Sequence, residues 1–200
     1  MTVAAVVLAL GRVAPSGRRE EPRRAPAARR RPAQAWRAAR VAAAALQAGL
    51  DETVVVIDSE ERAAALPDGA TVLLDAAATP GDASALRAAL DWCARQGHDA
   101  VVLALDEGAP GDPAEDPRSW RALAAAAGGP VVVATRGGRG APLARLDAEA
   151  WPLLPLEGSV AATWRNHPEL VSTLALDAAL DATGGDAGAP PAAAAAGEAP

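Results

Sequence analysis

The chain has no lysine, no phenylalanine and no tyrosine, and only one cysteine and two histidines in 200 residues. Without lysine there is no amine for a Schiff base and no ammonium to hold a phosphate, so each of the 19 basic side chains is a guanidinium. The single Cys93 excludes an intrachain disulfide and a multi-cysteine zinc site. Its place on the apolar face of a predicted helix reads as packing, because a free thiol behaves as a small hydrophobe. No apolar run approaches the ~18 residues of a membrane span. The short apolar run near the start lacks the basic segment of a secretory signal, so a cytoplasmic protein is expected. With no Phe or Tyr, the core has to be built from Leu, Val, Ala and five Trp.

What is present suits one domain with enough length to bury a core. Charge is uneven. Residues 1–40 carry ten Arg against Glu20 and Glu21, net +8, while the other 160 residues are net −14. Most of the basic charge lies among prolines between Arg18 and Arg31. That run reads as a solvated loop, with no interleaved aromatic to make a single-strand platform. Nucleic acid is therefore not the expected partner, although an anionic polymer is a weak third reading of the segment.

Apolar periodicity orders the chain. Val3 to Leu10 and Ala100 to Leu105 are continuous apolar runs, which predicts adjacent central parallel strands. Further strands are predicted at Thr53 to Ile57, Thr71 to Leu74, Pro130 to Thr135, 141–146 and Leu170 to Leu176. Helices are predicted from Trp36 to Gln47, from an Asp82 cap to Gly97, and from an Asp116-Pro117 start to Gly128. Asp58 with Glu61 three places on predicts a capping box for a short helix that Pro67 ends. Trp151 and Trp164 are assigned to short helices. Strands alternating with helices imply βαβ units, a mostly parallel sheet and helices on both faces. Ligands of such sheets sit at the carboxyl ends of the strands. That edge should carry the 11–20 loop, the Pro80 to Ser84 turn and the 106–113 loop. Residues 183–200 are Gly, Ala, Pro and acid, and are expected to be a disordered tail on a domain of residues 1–182.

The stretch Leu8-Ala9-Leu10-Gly11-Arg12-Val13-Ala14-Pro15-Ser16-Gly17-Arg18-Arg19-Glu20 is a glycine-bounded loop after a strand. Its spacing is neither a Walker loop nor a dinucleotide fingerprint. It resembles the loop of MobA-like NTP transferases, which reads roughly L-A-A-G-x-S-x-R-M-G-x-x-K. Leu8, Ala9, Gly11 and Gly17 fall on that pattern, whereas Pro15 stands at its Arg and Glu20 at its Lys. Other segments resemble the family too. Gly81 to Leu86 is similar to its G-M-G-S-S-L turn, Arg139 to Pro142 to its G-H-P turn, Trp151 to Leu154 to W-P-x-L, and His167 to Val171 to H-P-E-L-V. Asp106 or Glu107 falls at its magnesium carboxylate. The acid of its G-D-x-G-A-R element is missing from Gly158 to Thr163.

The resemblance implies a three-layer, Rossmann-like α/β fold of the nucleotide-diphospho-sugar transferase type. It implies transfer of a nucleoside monophosphate from an NTP to a phosphorylated small-molecule acceptor, with Mg2+, as in molybdenum cofactor cytidylyl- and guanylyltransferases. Gly11 and Gly17 would be loop backbone, Arg12 and Arg18 would meet phosphate, Ser84 would lie near the base or ribose, and Asp106 would serve the metal and catalysis. The apolar positions of the pattern are kept while the charged ones are replaced. This copy is therefore expected to be weak or catalytically degenerate. The alternative is a non-catalytic nucleotide-binding or scaffold protein that keeps the fold and serves a protein partner.

Overall fold

The computed structural model describes residues 1–10, 30–75, 83–104, 112–154, 164 and 166–184. Seven strands form one sheet: β1 (Val3–Ala9), β2 (Glu52–Ile57), β3 (Thr71–Leu74), β4 (Ala100–Ala104), β5 (Val131–Arg136), β6 (Arg139–Asp147) and β7 (Val171–Ala175), in the order β3-β2-β1-β4-β6-β5-β7. All pairs are parallel except those made by β6, which runs antiparallel to both β4 and β5. The predicted adjacency of β1 and β4 holds, from Val3 opposite Ala100 to Val7 opposite Ala104. Every residue of both strands is buried.

Alternation along these strands divides the core. Ala5, Val7, Val55, Val102 and Leu143 face one layer, made by α1 (Arg30–Ala48) and α3 (Pro117–Ala124). Ala4, Val6, Leu8, Val54, Val101 and Leu103 face the other, made by α2 (Ala83–Gln96) and the turn Ala148–Leu153. The α1 face is Ala38, Val41, Ala42 and Ala45, small enough for close approach to the sheet. Trp120 supplies bulk where no Phe or Tyr exists. It is wholly buried, and its Nε1 donates to the Ala114 carbonyl at 2.9 Å.

Several boundaries differ from the sequence reading. Helix α1 begins at Arg30 rather than Trp36, because Pro32 is tolerated in a first turn where no intrahelical N–H bond is lost. It ends at Ala48, with Gly49 at φ +69° in the left-handed position that closes a helix. The capping box at Asp58 and Glu61 does not form. Ser59 occupies the N-cap of the 3-10 turn Glu60–Ala65, and Asp58 pairs with Arg62 instead. The expected cap at Asp116 does form, its carboxylate accepting from Arg118 N at 2.9 Å. Helix α3 stops at Ala124, before Gly128. Gly128 has another reason to be glycine: a Cβ there would collide with Ser172 Oγ on β7. Arg139 to Pro142 opens β6 behind a turn of Gly137 and Gly138, both at positive φ as a two-residue hairpin requires. A last helix, α4 (Leu176–Gly184), follows β7 and went unassigned in the sequence. The 183–200 tail lies largely outside the described residues.

A polar cluster holds the amino edge of the sheet. Glu52 Oε1 accepts from Thr71 Oγ1 at 2.7 Å and from Trp92 Nε1 at 3.0 Å, and His98 Nε2 lies 2.9 Å from Glu52 Oε2. Partial burial pushes the Glu52 carboxyl up, but the bonds from Thr71, His98 and Trp92 outweigh it and hold it below the usual range. The stability it lends is therefore present above the ordinary glutamate pKa of ~4.3 and is lost as pH falls through the depressed folded value. Glu52→Gln should cost about 1–3 kcal/mol near neutral pH, read by urea unfolding. It should also flatten the fall in stability between about pH 5 and 3; an unchanged acid slope would dissociate Glu52 from that fall. Beside this cluster, burial pushes the Cys93 thiol up to about 12, with Glu52 adding to the shift. Cys93 should be silent to an aromatic disulfide reagent at pH 8 in native protein and react at once in urea.

Candidate functional site

The parallel strands β1, β2, β3 and β4 present their carboxyl ends on one edge of the sheet. Segment 11–29 leaves that edge after β1, and segment 105–111 leaves it after the neighbouring β4. Gly11, Arg12, Gly17, Arg18 and Asp106 lie in these two segments, outside the described residues. Ser84 is described. It sits in the first turn of α2, partly buried, and its Oγ donates to Asp75 Oδ2 at 3.2 Å. Asp75 follows β3, and its N–H donates to the Ile57 carbonyl at 2.9 Å, so the Ser84–Asp75 pair stands beside the end of β2.

Next to it, Arg62 bridges two strand ends. Its Nη1 donates to the Ala9 carbonyl at 2.8 Å, and its Nε lies 2.9 Å from Asp58 Oδ1. Arg62 reaches across from the 3-10 turn after β2, in a helix-like i,i+4 pair with Asp58. Its side chain is mostly buried, so the guanidinium is a fixed cation at the point where the chain leaves β1. On the other side of β1, Asp112 closes segment 105–111. Asp112 Oδ1 accepts from Ala114 N at 2.9 Å, and Oδ2 lies 3.6 Å from Arg37 Nη2 of α1.

Sequence reasoning had missed Arg62, Asp75, Arg37 and Asp112 as members of this edge, and had read Asp58 as a cap. A signal was present. An acid directly follows an apolar strand run three times, as Ile57-Asp58, Leu74-Asp75 and Leu105-Asp106. In a parallel sheet such repeats collect carboxylates on one edge. Among the described residues the edge can accept hydrogen bonds from hydroxyl or amino groups and offers two guanidinium groups, Arg62 and Arg37. Among the described residues no group of three or more His, Cys, Asp and Glu is placed to hold a metal ion. Asp112 and Asp75 are already committed to Arg37, Ala114 and Ser84. A divalent cation would thus need oxygen donors beyond these described pairs.

Replacing Arg62 with Met should remove a hydrogen bond to the Ala9 carbonyl and the ion pair with Asp58. The expected cost is about 1–3 kcal/mol, measured by urea unfolding. Asp58→Asn, which keeps an acceptor for Arg62, should cost less. An unaltered Arg62→Met midpoint would mean the bridge carries no load.

Comparison with known proteins gives the site its setting. The family model of the MobA-like NTP transferase domain matches residues 35–191. No curated protein matches the chain. Among solved structures, Rv0371c from Mycobacterium tuberculosis H37Rv is similar at TM-score 0.58 and 22% identity, covering 87% of each chain. A manganese complex of Rv0371C from Mycobacterium tuberculosis H37Rv matches at TM-score 0.56 and 19% identity, again over 87% of each chain. A nucleotidyl transferase from Methanothermobacter thermautotroptrophicus, Mth528, matches at TM-score 0.58 and 22% identity, covering 84% of this chain and 82% of its own. A CMP:2-keto-3-deoxy-manno-octonic acid synthetase complexed with CTP matches at TM-score 0.57 and 12% identity, covering 88% of this chain and 90% of its own. These likenesses establish a fold of the nucleotide-diphospho-sugar transferase type.

Proposed function

The chain belongs to the MobA-like NTP transferase family, and from that premise we propose a nucleotidyltransferase-type protein, closest in kind to the molybdenum cofactor cytidylyl- and guanylyltransferases, whose catalysis is weak or lost. The observation that carries this reading is the family match over 35–191 on a sheet whose neighbouring strands β1 and β4 send segments 11–29 and 105–111 from the same edge. In the reaction, a phosphate oxygen of the acceptor attacks the α-phosphorus of an NTP, the bond from that phosphorus to the β-bridging oxygen breaks, and pyrophosphate leaves. Gly11 and Gly17 give backbone N–H groups to the phosphates, and Arg12 and Arg18 give cations. Ser84, held by Asp75, addresses the base or ribose. Asp106 would hold Mg2+, which when bound supplies positive charge to the phosphate oxygens. The Asp106-Glu107 pair in the sequence after β4 and the manganese complex of Rv0371C support a divalent ion. The catalytic unit is residues 1–182, working in the cytoplasm without nucleic acid or membrane.

The charges of the loop argue for weak activity. Pro15 removes a guanidinium fork and Glu20 sets a carboxylate against the triphosphate. The family match also begins only after this loop, at residue 35. The same substitutions favour the second reading, a non-catalytic nucleotide-binding or scaffold protein that serves a partner.

Pyrophosphate release from each of the four NTPs in Mg2+, with several phosphorylated acceptors, should be slow or absent. The double change Pro15→Arg with Glu20→Lys should tighten NTP binding about tenfold by calorimetry, near 1.4 kcal/mol. Robust turnover by the native chain would overturn the degenerate reading. No gain from the double change would mean that the loop does not face the triphosphate.

A further inference from the structure

Because β6 is antiparallel to β4, it enters the sheet from the carboxyl edge, and its hairpin with β5 stands there. β6 pairs with β4 only from Leu143 to Asp147, so residues 139–142 run on past Ala104, the last residue of β4. Between the pairs Val133–Ala144 and Thr135–Gly140 the register shifts, and Pro142, with no N–H for the ladder, lies in that irregularity. Beyond it Arg136 pairs directly with Arg139, and both are exposed. Opposite residues of an antiparallel pair project to one face with Cβ atoms about 4.5–5.5 Å apart, and like charges placed so weaken a hairpin. Ala134 faces the α1 and α3 layer, so Arg136, two residues on, faces that side as well. An internal anion already sits at this pair. Asp177, at the start of α4, accepts from Gly137 N at 2.8 Å through Oδ2, and its Oδ1 lies 3.5 Å from Arg136 Nε. Those side chains are 55% and 56% exposed, so the ion pair is weak in water. Among the described residues no carboxylate pairs with Arg139. The tip is also bare: a Cβ on Gly137 or Gly138 would meet nothing within 4 Å.

We propose that Arg136 and Arg139 form a clamp for a phosphate monoester, the phosphate of the acceptor, and that Asp177 is an internal stand-in which that phosphate displaces; its being the acceptor's phosphate rests on the nucleotidyltransferase reading. A carboxylate has two oxygens and one charge. A phosphate monoester has three free oxygens and nearly two charges, so it can bridge both guanidinium groups and still take the Gly137 N–H. Breaking the exposed Asp177 pair costs little, because water solvates both partners once they part. Position on the sheet selects the acceptor over the NTP. Ser84 and Asp75 stand at the ends of β3 and β2. From β2 the sheet runs through β1 and β4 to β6, and three strand spacings of about 4.7–4.9 Å make roughly 14 Å. With the base or ribose at Ser84, the hairpin lies across β1 and β4 from it, on the side left for the second substrate.

The test titrates the whole 15N-labelled chain with glycerol 3-phosphate at about pH 7.5, where the monoester is mostly a dianion. Ionic strength is held constant, and the Gly137 and Gly138 amides are followed by NMR. Both should shift and saturate in the millimolar range, and sodium chloride at the same ionic strength should move neither. Arg136→Gln and Arg139→Gln should each weaken the Kd about fivefold or more. Asp177→Asn, which removes the competing charge, should tighten it about threefold. Arg95→Gln, an exposed cation beside Trp92 on α2, should leave it unchanged. Silent glycine amides, an equal loss in Arg95→Gln, or no tightening in Asp177→Asn would overturn the clamp. A parallel calorimetric titration with each NTP in Mg2+ separates the two phosphate sources. Native NTP affinity should survive Arg139→Gln; if it falls while glycerol 3-phosphate binding does not, the assignment to the acceptor is overturned. If the native chain binds none of the four NTPs, the nucleotidyltransferase reading fails, and the glycerol 3-phosphate titration alone decides the clamp.

Discussion

Burial of β1 and β4 on both faces is the constraint from which the rest of the structure follows. A strand with no polar residue on either side has to lie between two layers, and it has to have strands on both edges. That forces helices onto each face and places β1 and β4 in the middle of the sheet. Parallel pairing then sends the segments that follow them to the same edge. The position of the candidate site is therefore a consequence of where Val, Leu and Ala are placed, before any site residue is considered.

Two edges of one sheet do different work. At the amino edge, Glu52 ties β2 to β3 and to the end of α2 through Thr71, Trp92 and His98. At the carboxyl edge, Arg62, Asp58, Asp75, Ser84, Arg37 and Asp112 surround the ends of β1 to β4. The first cluster turns its bonds onto one carboxylate and serves stability. The second holds the strand ends and leaves the chemistry to segments that depart from it. Since every guanidinium in the chain stays charged across the working pH range, the cations of the carboxyl edge are fixed.

Much of the fold was legible because it rests on burial. Continuous apolar runs identified β1 and β4 and their adjacency, and the Asp116-Pro117 start of α3 was read correctly because its cap depends on neighbouring residues alone. The family was legible from scaffold segments for the same reason. What was not legible depended on long-range partners. Asp58 has the spacing of a cap, yet a better partner, Arg62, takes it. The start of α1 lies among Arg and Pro, where apolar periodicity has nothing to register. Gly128 read as a helix stop, although its real reason is Ser172 on β7, 44 residues away in the chain. At the edge, Ser84 was singled out by the family pattern, while its partner Asp75 becomes visible only when β2 and β3 are side by side.

The antiparallel β6 has a bearing on how the chain reaches this state. Between β4 and β5 in sequence lie a 3-10 turn and α3, and the strand beside β4 in the sheet is not β5 but β6. The tight turn at Gly137 and Gly138 lets β5 and β6 zip together locally, with little loop to close. By contrast, β1 meets β4 only after the ends of a long segment are brought together, as the bond from Thr2 N to Asp99, 97 residues away, makes plain. Loop-closure entropy thus favours a hairpin made early, which then docks as a unit and completes the sheet on its far side. Until that docking, one flank of β4 is an open strand edge, and the chain's exposure to aggregation while it folds is set by how quickly that flank is covered.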